Sequence, residues 1–191
     1  SRSAYSCEFM LHEGALHLLL AEEGATLRTL NYSRHVADTK RGTLLLPRAA
    51  FHLASPLTRM VRIVTPGATT PRGPNAAAQK QQQRTALLWC STDGSLGYVA
   101  PLGEVEHRRL AFLTQKMILG LTHACGLHPR AFRAMNTGAA SARELKNMVD
   151  ANLLVRFLHL GDDEQRRLAL MIGSTPKKVM AALASLSRGL P

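Results

Sequence analysis

The sequence predicts an α+β protein in which an N-terminal antiparallel β meander precedes a C-terminal all-helical domain. Short apolar runs separated by turn residues fill the first 103 residues, which is typical of a meander. From Glu104 onward, apolar residues recur at the helical period of about 3.6. We therefore divide the chain into a β region (1–103), interrupted by a flexible insertion at 65–84, and a helical domain (104–191).

The strands of the β region are short and rich in Leu, Val, Phe and Thr, with Gly and Asp between them. The predicted strands are Tyr5–Leu11, Leu16–Ala21, Thr26–Tyr32, Thr43–Leu46, Ala49–Leu53, Met60–Val64, Thr85–Ser91 and Leu96–Ala100. Asp93-Gly94 lies between the last two and predicts a tight hairpin, because Gly94 can adopt a positive φ. This number of strands makes two propeller blades at most, so we expect open sheet edges that further sequence or a partner covers.

The insertion at 65–84 contains Pro, Gly, Ala and Gln but no large apolar residue. Such a composition cannot bury a core, so we expect a mobile surface segment there that a protease cuts first.

The helical domain begins with an amphipathic helix of about five turns, in which Leu110, Leu113 and Met117 share one face. Helices are also predicted at Ser141–Val149, after Asp150 as N-cap, at Asp162–Ile172 and at Pro176–Leu186. The predicted core residues of this domain are Leu113, Met117, Leu121, Phe132, Leu154, Phe157, Leu158, Ile172, Val179 and Leu183.

Composition and charge narrow the possible setting and partners. No apolar run approaches the roughly 18 residues of a membrane span, so we expect no membrane association. Cys7, Cys90 and Cys125 are odd in number and widely spaced, which favours free thiols in the cytosol or nucleus. The formal net charge of +11 favours acidic partners including nucleic acids, but only 5% of residues are aromatic. General polyanion affinity is therefore favoured over sequence-specific base recognition.

We find no constellation of side chains that predicts catalysis or a cofactor. His123, Cys125 and His128 are the best metal candidates, but a fourth ligand is lacking and a structural interpretation is favoured. The acidic run Asp162–Glu164 is better explained as a helix start, where it complements the helix dipole. His52 lies between apolar residues on a strand and is interpreted as structural. The sequence therefore predicts a protein that is not an enzyme.

The last two helices carry the spacing of a helix-turn-helix motif. Ala169 is the small residue where the helices cross, Gly173 lies in the turn, and Val179 is the apolar anchor of the second helix. A DNA-binding regulator using residues 165–186 is thus an alternative function. The outward positions of the second helix include Lys177 and Lys178, which can hold phosphate, but also alanines, which cannot read bases. We expect this pair to pack onto the preceding helices.

Five stretches stand in order along nearly the whole chain: Arg48–His52, Thr92–Gly97 with Pro101, Gly126–Arg133, Val149–Leu158 and Ile172–Pro176. Together they resemble the C-terminal region of the largest subunit of the cleavage and polyadenylation specificity factor. The superfamily also contains the damaged-DNA-binding scaffold protein and a splicing factor 3b subunit.

The resemblance implies a nuclear, non-catalytic scaffold for pre-mRNA 3′-end processing, without cofactors. Proteins of the family are built from several β-propellers followed by a helical domain. Residues 1–103 would then be the last strands of the terminal propeller, and the earlier propellers of the protein would lie outside this sequence. The implied partners are a WD-repeat subunit, a zinc-finger subunit and, through dispersed positive charge, pre-mRNA. Candidate polyanion or partner contacts are Arg108, Arg109, Arg130, Arg133, Lys177 and Lys178.

Overall fold

The α+β fold class is confirmed: among the described residues, seven of the ten strands precede residue 104 and the four α-helices begin at or after it. The computed structural model describes residues 3–12, 15–33, 36–65, 84–129, 134–137, 140–143 and 145–187. The chain forms two compact units. The β unit comprises Ser1–Pro101 and Phe132–Met148, and the helical unit comprises Leu102–Ala131 and Val149–Pro191. The division of the chain into domains at residues 1–103 and 104–191 stays a prediction.

The larger sheet of the β unit is an antiparallel meander with one late addition. Its strands are β1 (Ala4–His12), β2 (Ala15–Glu22), β3 (Thr26–Asn31), β4 (Leu46–His52) and β10 (Leu145–Lys146). The order across the sheet is β1-β2-β3-β4-β10. Each strand except β10 thus pairs with its neighbour in sequence, as a meander requires.

A second antiparallel sheet consists of β5 (Leu57–Thr65), β6 (Arg84–Ser91) and β7 (Leu96–Val99). Strands β8 (Ala134–Thr137) and β9 (Ala140–Arg143) form a separate pair. The β core includes Leu19, Leu27, Met60 and Leu87 from both larger sheets. Thr65 pairs with Arg84, so the expected insertion joins two paired strands, while its residues 66–83 lie outside the described residues.

Two expectations for secondary structure are wrong. A separate strand at Thr43–Leu46 does not form, because the buried Thr39 hydroxyl donates to the Val36 carbonyl at 2.6 Å and accepts from the Gly42 amide. These bonds hold a compact turn instead. A helix at Ser141–Val149 does not form either, because Leu145 and Lys146 belong to β10 and pair with β4. Long-range pairing overrides local helix preference there.

The helices are α1 (Glu104–Gly120), α2 (Ala151–Val155), α3 (Asp162–Met171) and α4 (Pro176–Ser187). A 3₁₀ turn at Arg156–His159 follows α2. Asp150 is the N-cap of α2, as predicted, and its carboxylate accepts the Asn152 amide at 3.1 Å. Among the described residues, no helix combines the length and apolar character needed to cross a membrane.

The predicted helical core is largely confirmed. Leu113, Met117, Leu154, Phe157, Val179 and Leu183 are buried in one cluster, and Leu121 and Ile172 are partly buried against it. The prediction is wrong for Leu158, which is 45% exposed. In the tighter 3₁₀ turn, consecutive side chains point about 120° apart, so only Phe157 faces the core. Phe132 lies outside the described residues.

Candidate functional site

Two of the six basic candidates lie on the first half of α1. Arg108 and Arg109 are both exposed, but Arg108 forms an ion pair and hydrogen bond with Glu104, one turn earlier. Within the described part of the chain, Arg109 forms no ion pair. The charge available to a partner on this part of α1 is therefore mainly that of Arg109.

Lys177 and Lys178 lie exposed in the first turn of α4, where no acidic residue offsets them. The Lys178 amide donates to the Thr175 hydroxyl oxygen at 3.4 Å, so Thr175 caps the start of this helix. Binding of an anion by either lysine would break no ion pair within this turn, so its main local cost is the loss of side-chain entropy. Arg130 and Arg133 lie outside the described residues.

A further group of basic side chains lies on the larger sheet and was not identified from the sequence. Burial lowers the pKa of His17, and the positive charges of His12 and Arg48 lower it further. His17 is therefore mostly neutral at physiological pH. The histidines were missed because only strand pairing brings them together.

Of the residues considered as metal ligands, His123 is partly buried near the end of α1, whereas Cys125 and His128 are exposed, so the expectation of a buried Cys125 is wrong. His123 Nε2 lies 2.8 Å from the Ile118 carbonyl oxygen near the end of α1, and Cys125 is exposed with a positive φ. Within the ranges that the structure describes, no group of three His, Cys, Asp or Glu side chains could hold a metal ion. The acids Asp162–Glu164 open α3, as the helix-start interpretation predicts.

The larger sheet has an exposed apolar face that sequence reasoning missed. Tyr5, Phe9 and Leu11 alternate along β1 and are exposed, whereas Met10 between them is buried. Phe9 pairs with Leu18 and Leu11 with Leu16 on β2, so their side chains share this face. These side chains form an exposed apolar strip along β1 and the adjoining part of β2. Alternation alone could not reveal it, because both faces of β1 carry apolar residues.

Helix α1 also has apolar residues on the side opposite its core. Val105, Phe112 and Leu119 are 70%, 42% and 74% exposed. The sequence analysis predicted one apolar face for this helix, the face that carries Leu110, Leu113 and Met117. The seven-residue spacing of these three exposed residues is the sequence signal that reveals the second stripe. We call Val105, Phe112 and Leu119 the α1 outer stripe.

The geometry of α3 and α4 agrees with helix-turn-helix spacing. Ala169 is fully buried, Gly173 has a φ of +65°, and Val179 is buried. Both helices contribute to the core that also holds Leu113 of α1 and Phe157. The expectation that the pair packs onto preceding helices is confirmed by this shared core.

Comparison with known proteins decides the family of the chain. Residues 1–159 match the family described as the CPSF A subunit region. The chain belongs to this family. The matched segment contains both larger sheets, α1 and α2, so the family likeness covers most of the described structure.

Full-length relatives agree with the family assignment. A probable cleavage and polyadenylation specificity factor subunit 1 from Oryza sativa is 28% identical over 99% of the chain. Cleavage and polyadenylation specificity factor subunit 1 from Arabidopsis thaliana is 32% identical over 99% of the chain. Protein CFT1 from Coccidioides immitis is 28% identical over 97% of the chain. The chain spans about 13% of the length of each of these relatives.

Proposed function

We propose that the chain belongs to a non-enzymatic scaffold subunit of the nuclear machinery that cleaves and polyadenylates pre-mRNA. The single observation that carries this proposal is the match of residues 1–159 to the CPSF A subunit region. The names of the relatives, which refer to a cleavage and polyadenylation factor, support it. A scaffold needs surfaces for assembly, and the exposed sheet face and the α1 outer stripe are such surfaces.

The sheets fit the proposal that the β unit is the end of a β-propeller. Strands β1 to β4 form a four-stranded antiparallel meander, the size of one blade. Strands β5 to β7 would be most of a second blade. Adjacent blades pack face to face, so a preceding blade of the longer protein would cover the exposed face of Phe9 and Leu11.

The partners we propose are a WD-repeat subunit and a zinc-finger subunit of the same complex, with pre-mRNA as a direct contact. The net charge of +11 supports the RNA contact. Lys177 and Lys178 carry exposed, uncompensated charge that can meet RNA phosphates, whereas the exposed charge of Arg109 is available to RNA or to a protein partner. Scarce aromatic residues predict binding through phosphates, with little dependence on sequence.

The test uses the full-length protein, tagged and expressed at its natural level. We expect it to purify with the other polyadenylation subunits, and its rapid depletion to cause uncleaved pre-mRNA to accumulate. Restoring the full-length protein should restore cleavage. Cleavage that continues unchanged after depletion, with purification free of other processing subunits, would contradict the proposal.

The second candidate function is DNA binding by residues 165–186, which the left-handed Gly173 and the buried Ala169 favour. Replacing Lys177 and Lys178 by Ala discriminates between the two functions. If they make only general contacts, stability should change by less than about 0.5 kcal/mol, and affinity should fall equally for all duplex and RNA sequences. Selective loss for one duplex, measured by titration at two salt concentrations, would favour the DNA-binding function.

A further inference from the structure

The α1 outer stripe is a narrow apolar line along one side of a single helix. Val105, Phe112 and Leu119 are seven residues apart, and a straight α-helix drifts by only about 20° per seven residues. Their side chains therefore fall within about 40° of one another, whereas the buried Leu110 and Met117 point roughly away from them, about 140–160° around the helix from Phe112. Core packing accounts for one side of α1 and leaves the other side unexplained.

Positive charge accompanies this stripe. Arg109 and Lys116 each follow an apolar member of the stripe by four residues, which places them on the same side of the helix. The Lys116 ammonium lies 4.9 Å from the centre of the Phe112 ring. Neither residue forms an ion pair among the residues that the structure describes. Arg108 differs, because Glu104 already neutralises it.

We propose that the α1 outer stripe binds an amphipathic helix of another polypeptide, one whose apolar seam is flanked by Asp and Glu. An exposed apolar line on one helix can pack against the apolar face of an amphipathic partner helix. The stripe has one apolar residue in seven, and Arg109 and Lys116 lie between its members. These two cations have no partner charge among the described residues, so electrostatic complementarity favours Asp and Glu beside the partner's apolar seam. This inference deepens the proposed scaffold function by naming the chemistry of one partner.

RNA fits this surface less well than a helix does. Base recognition uses stacking on aromatic rings, and Phe112 is the single aromatic residue of the stripe, with Lys116 over its ring. Val105 and Leu119 offer aliphatic surface that nucleic acid does not bury. An acidic helix satisfies the aliphatic seam and both charges together.

The first experiment measures binding of two synthetic peptides to the full-length protein by fluorescence anisotropy. Both peptides have about three heptads with Leu at the seam positions, and one has Glu and the other Lys beside the seam. Like charges keep each peptide from pairing with itself. We expect the Glu peptide to bind at least about tenfold more tightly than the Lys peptide.

Matched variants locate that binding on α1. Leu119→Asp should weaken the Glu peptide at least about tenfold, because the charge would be buried in the seam. Leu170→Asp is the control, since Leu170 is 75% exposed on α3 in the same unit. It should leave affinity within about twofold. Equal effects of the two variants, or equal binding of the two peptides, would overturn the proposal.

A charge-reversal pair tests the acidic flanks separately from the apolar seam. Replacing Arg109 and Lys116 by Glu should abolish the preference for the Glu peptide. Replacing Lys177 and Lys178 by Glu makes the same change in net charge on another helix and should preserve the preference. Loss of the preference in both double variants would show nonspecific attraction and refute the proposal.

A photo-cross-linking residue at position 119 of the full-length protein, in its native complex, identifies the natural occupant. We expect a cross-link to an acidic, heptad-patterned segment of another polypeptide, absent when position 170 carries the reagent. Cross-links to the same chain or to RNA, or none at all, would overturn the proposal. Pre-mRNA cleavage in the depleted cells, and in cells where the protein is restored, is a separate readout that tests the proposed scaffold function.

Discussion

The most decisive stability test of the helical unit is Phe157→Ala. Phe157 has no exposed surface and contributes to the core that also holds Leu113 and Leu168. Loss of a fully buried Phe side chain removes about 1.5–3 kcal/mol of transfer free energy. A remaining cavity of about 80 Å³ adds about 2 kcal/mol at about 24 cal/mol per Å³. The two terms predict that the free energy of unfolding falls by about 3.5–5 kcal/mol.

The neighbouring residue provides the control for this substitution. Leu158 belongs to the same 3₁₀ turn but is 45% exposed, so Leu158→Ala should cost less than about 1 kcal/mol. Both values come from denaturant unfolding followed by circular dichroism at a helix band, because the single tryptophan, Trp89, reports on β6 instead. A loss below about 1 kcal/mol for Phe157→Ala, or equal losses for both variants, would refute the packing argument.

Three further predictions concern single side chains. Gly97→Ala should destabilise the β unit by about 1–3 kcal/mol, because its Cβ would lie 2.2 Å from the Trp89 ring; Trp89→Leu in the same chain should recover part of the loss in thermal unfolding. The Ser91 hydroxyl, followed by the Ser95 amide, lowers the pKa of Asp93 to about 2, so the charged carboxylate stabilises the fold above its unfolded pKa of 3.8. That stabilisation is lost as the pH falls from 3.8 towards 2. The difference in unfolding free energy between the natural protein and the Asp93→Asn variant should therefore shrink over this pH range. Gln165→Met should cost about 1–3 kcal/mol, because it removes the two hydrogen bonds that the buried Gln165 amide donates to the carbonyls of Phe157 and Leu160. A loss near zero in urea unfolding would count against the role of those bonds.

Local sequence signals predicted those elements whose stabilising contacts are also local. The Asp93-Gly94 turn joins β6 and β7, and Asp150 begins α2 as its N-cap. The expected helix at 141–149 failed because its residues bond to a strand nearly a hundred positions earlier. There the Asn147 amide group donates to the Arg48 carbonyl at 2.8 Å, and no local pattern records such pairing.

The candidate site was predictable in kind but not in place. Charge counting correctly indicated basic side chains such as Arg109 and Lys177 on exposed helix positions. It gave Arg108 equal weight, although Glu104 neutralises it in the folded helix. The apolar surfaces were overlooked because an apolar residue is assigned to the core by default, and only burial distinguishes Leu119 from Met117.

The return of β10 to the larger sheet has a genetic consequence. The chain passes between the units at residues 101/102, 131/132 and 148/149, so a sheet begun near the start is completed by Leu145 and Lys146. A stop codon between the first crossing and Leu145 would therefore remove β10 and leave the edge of β4 open to pairing with other chains. Nonsense alleles in this stretch should behave as aggregation-prone sheet mutants and not as simple losses of the helices.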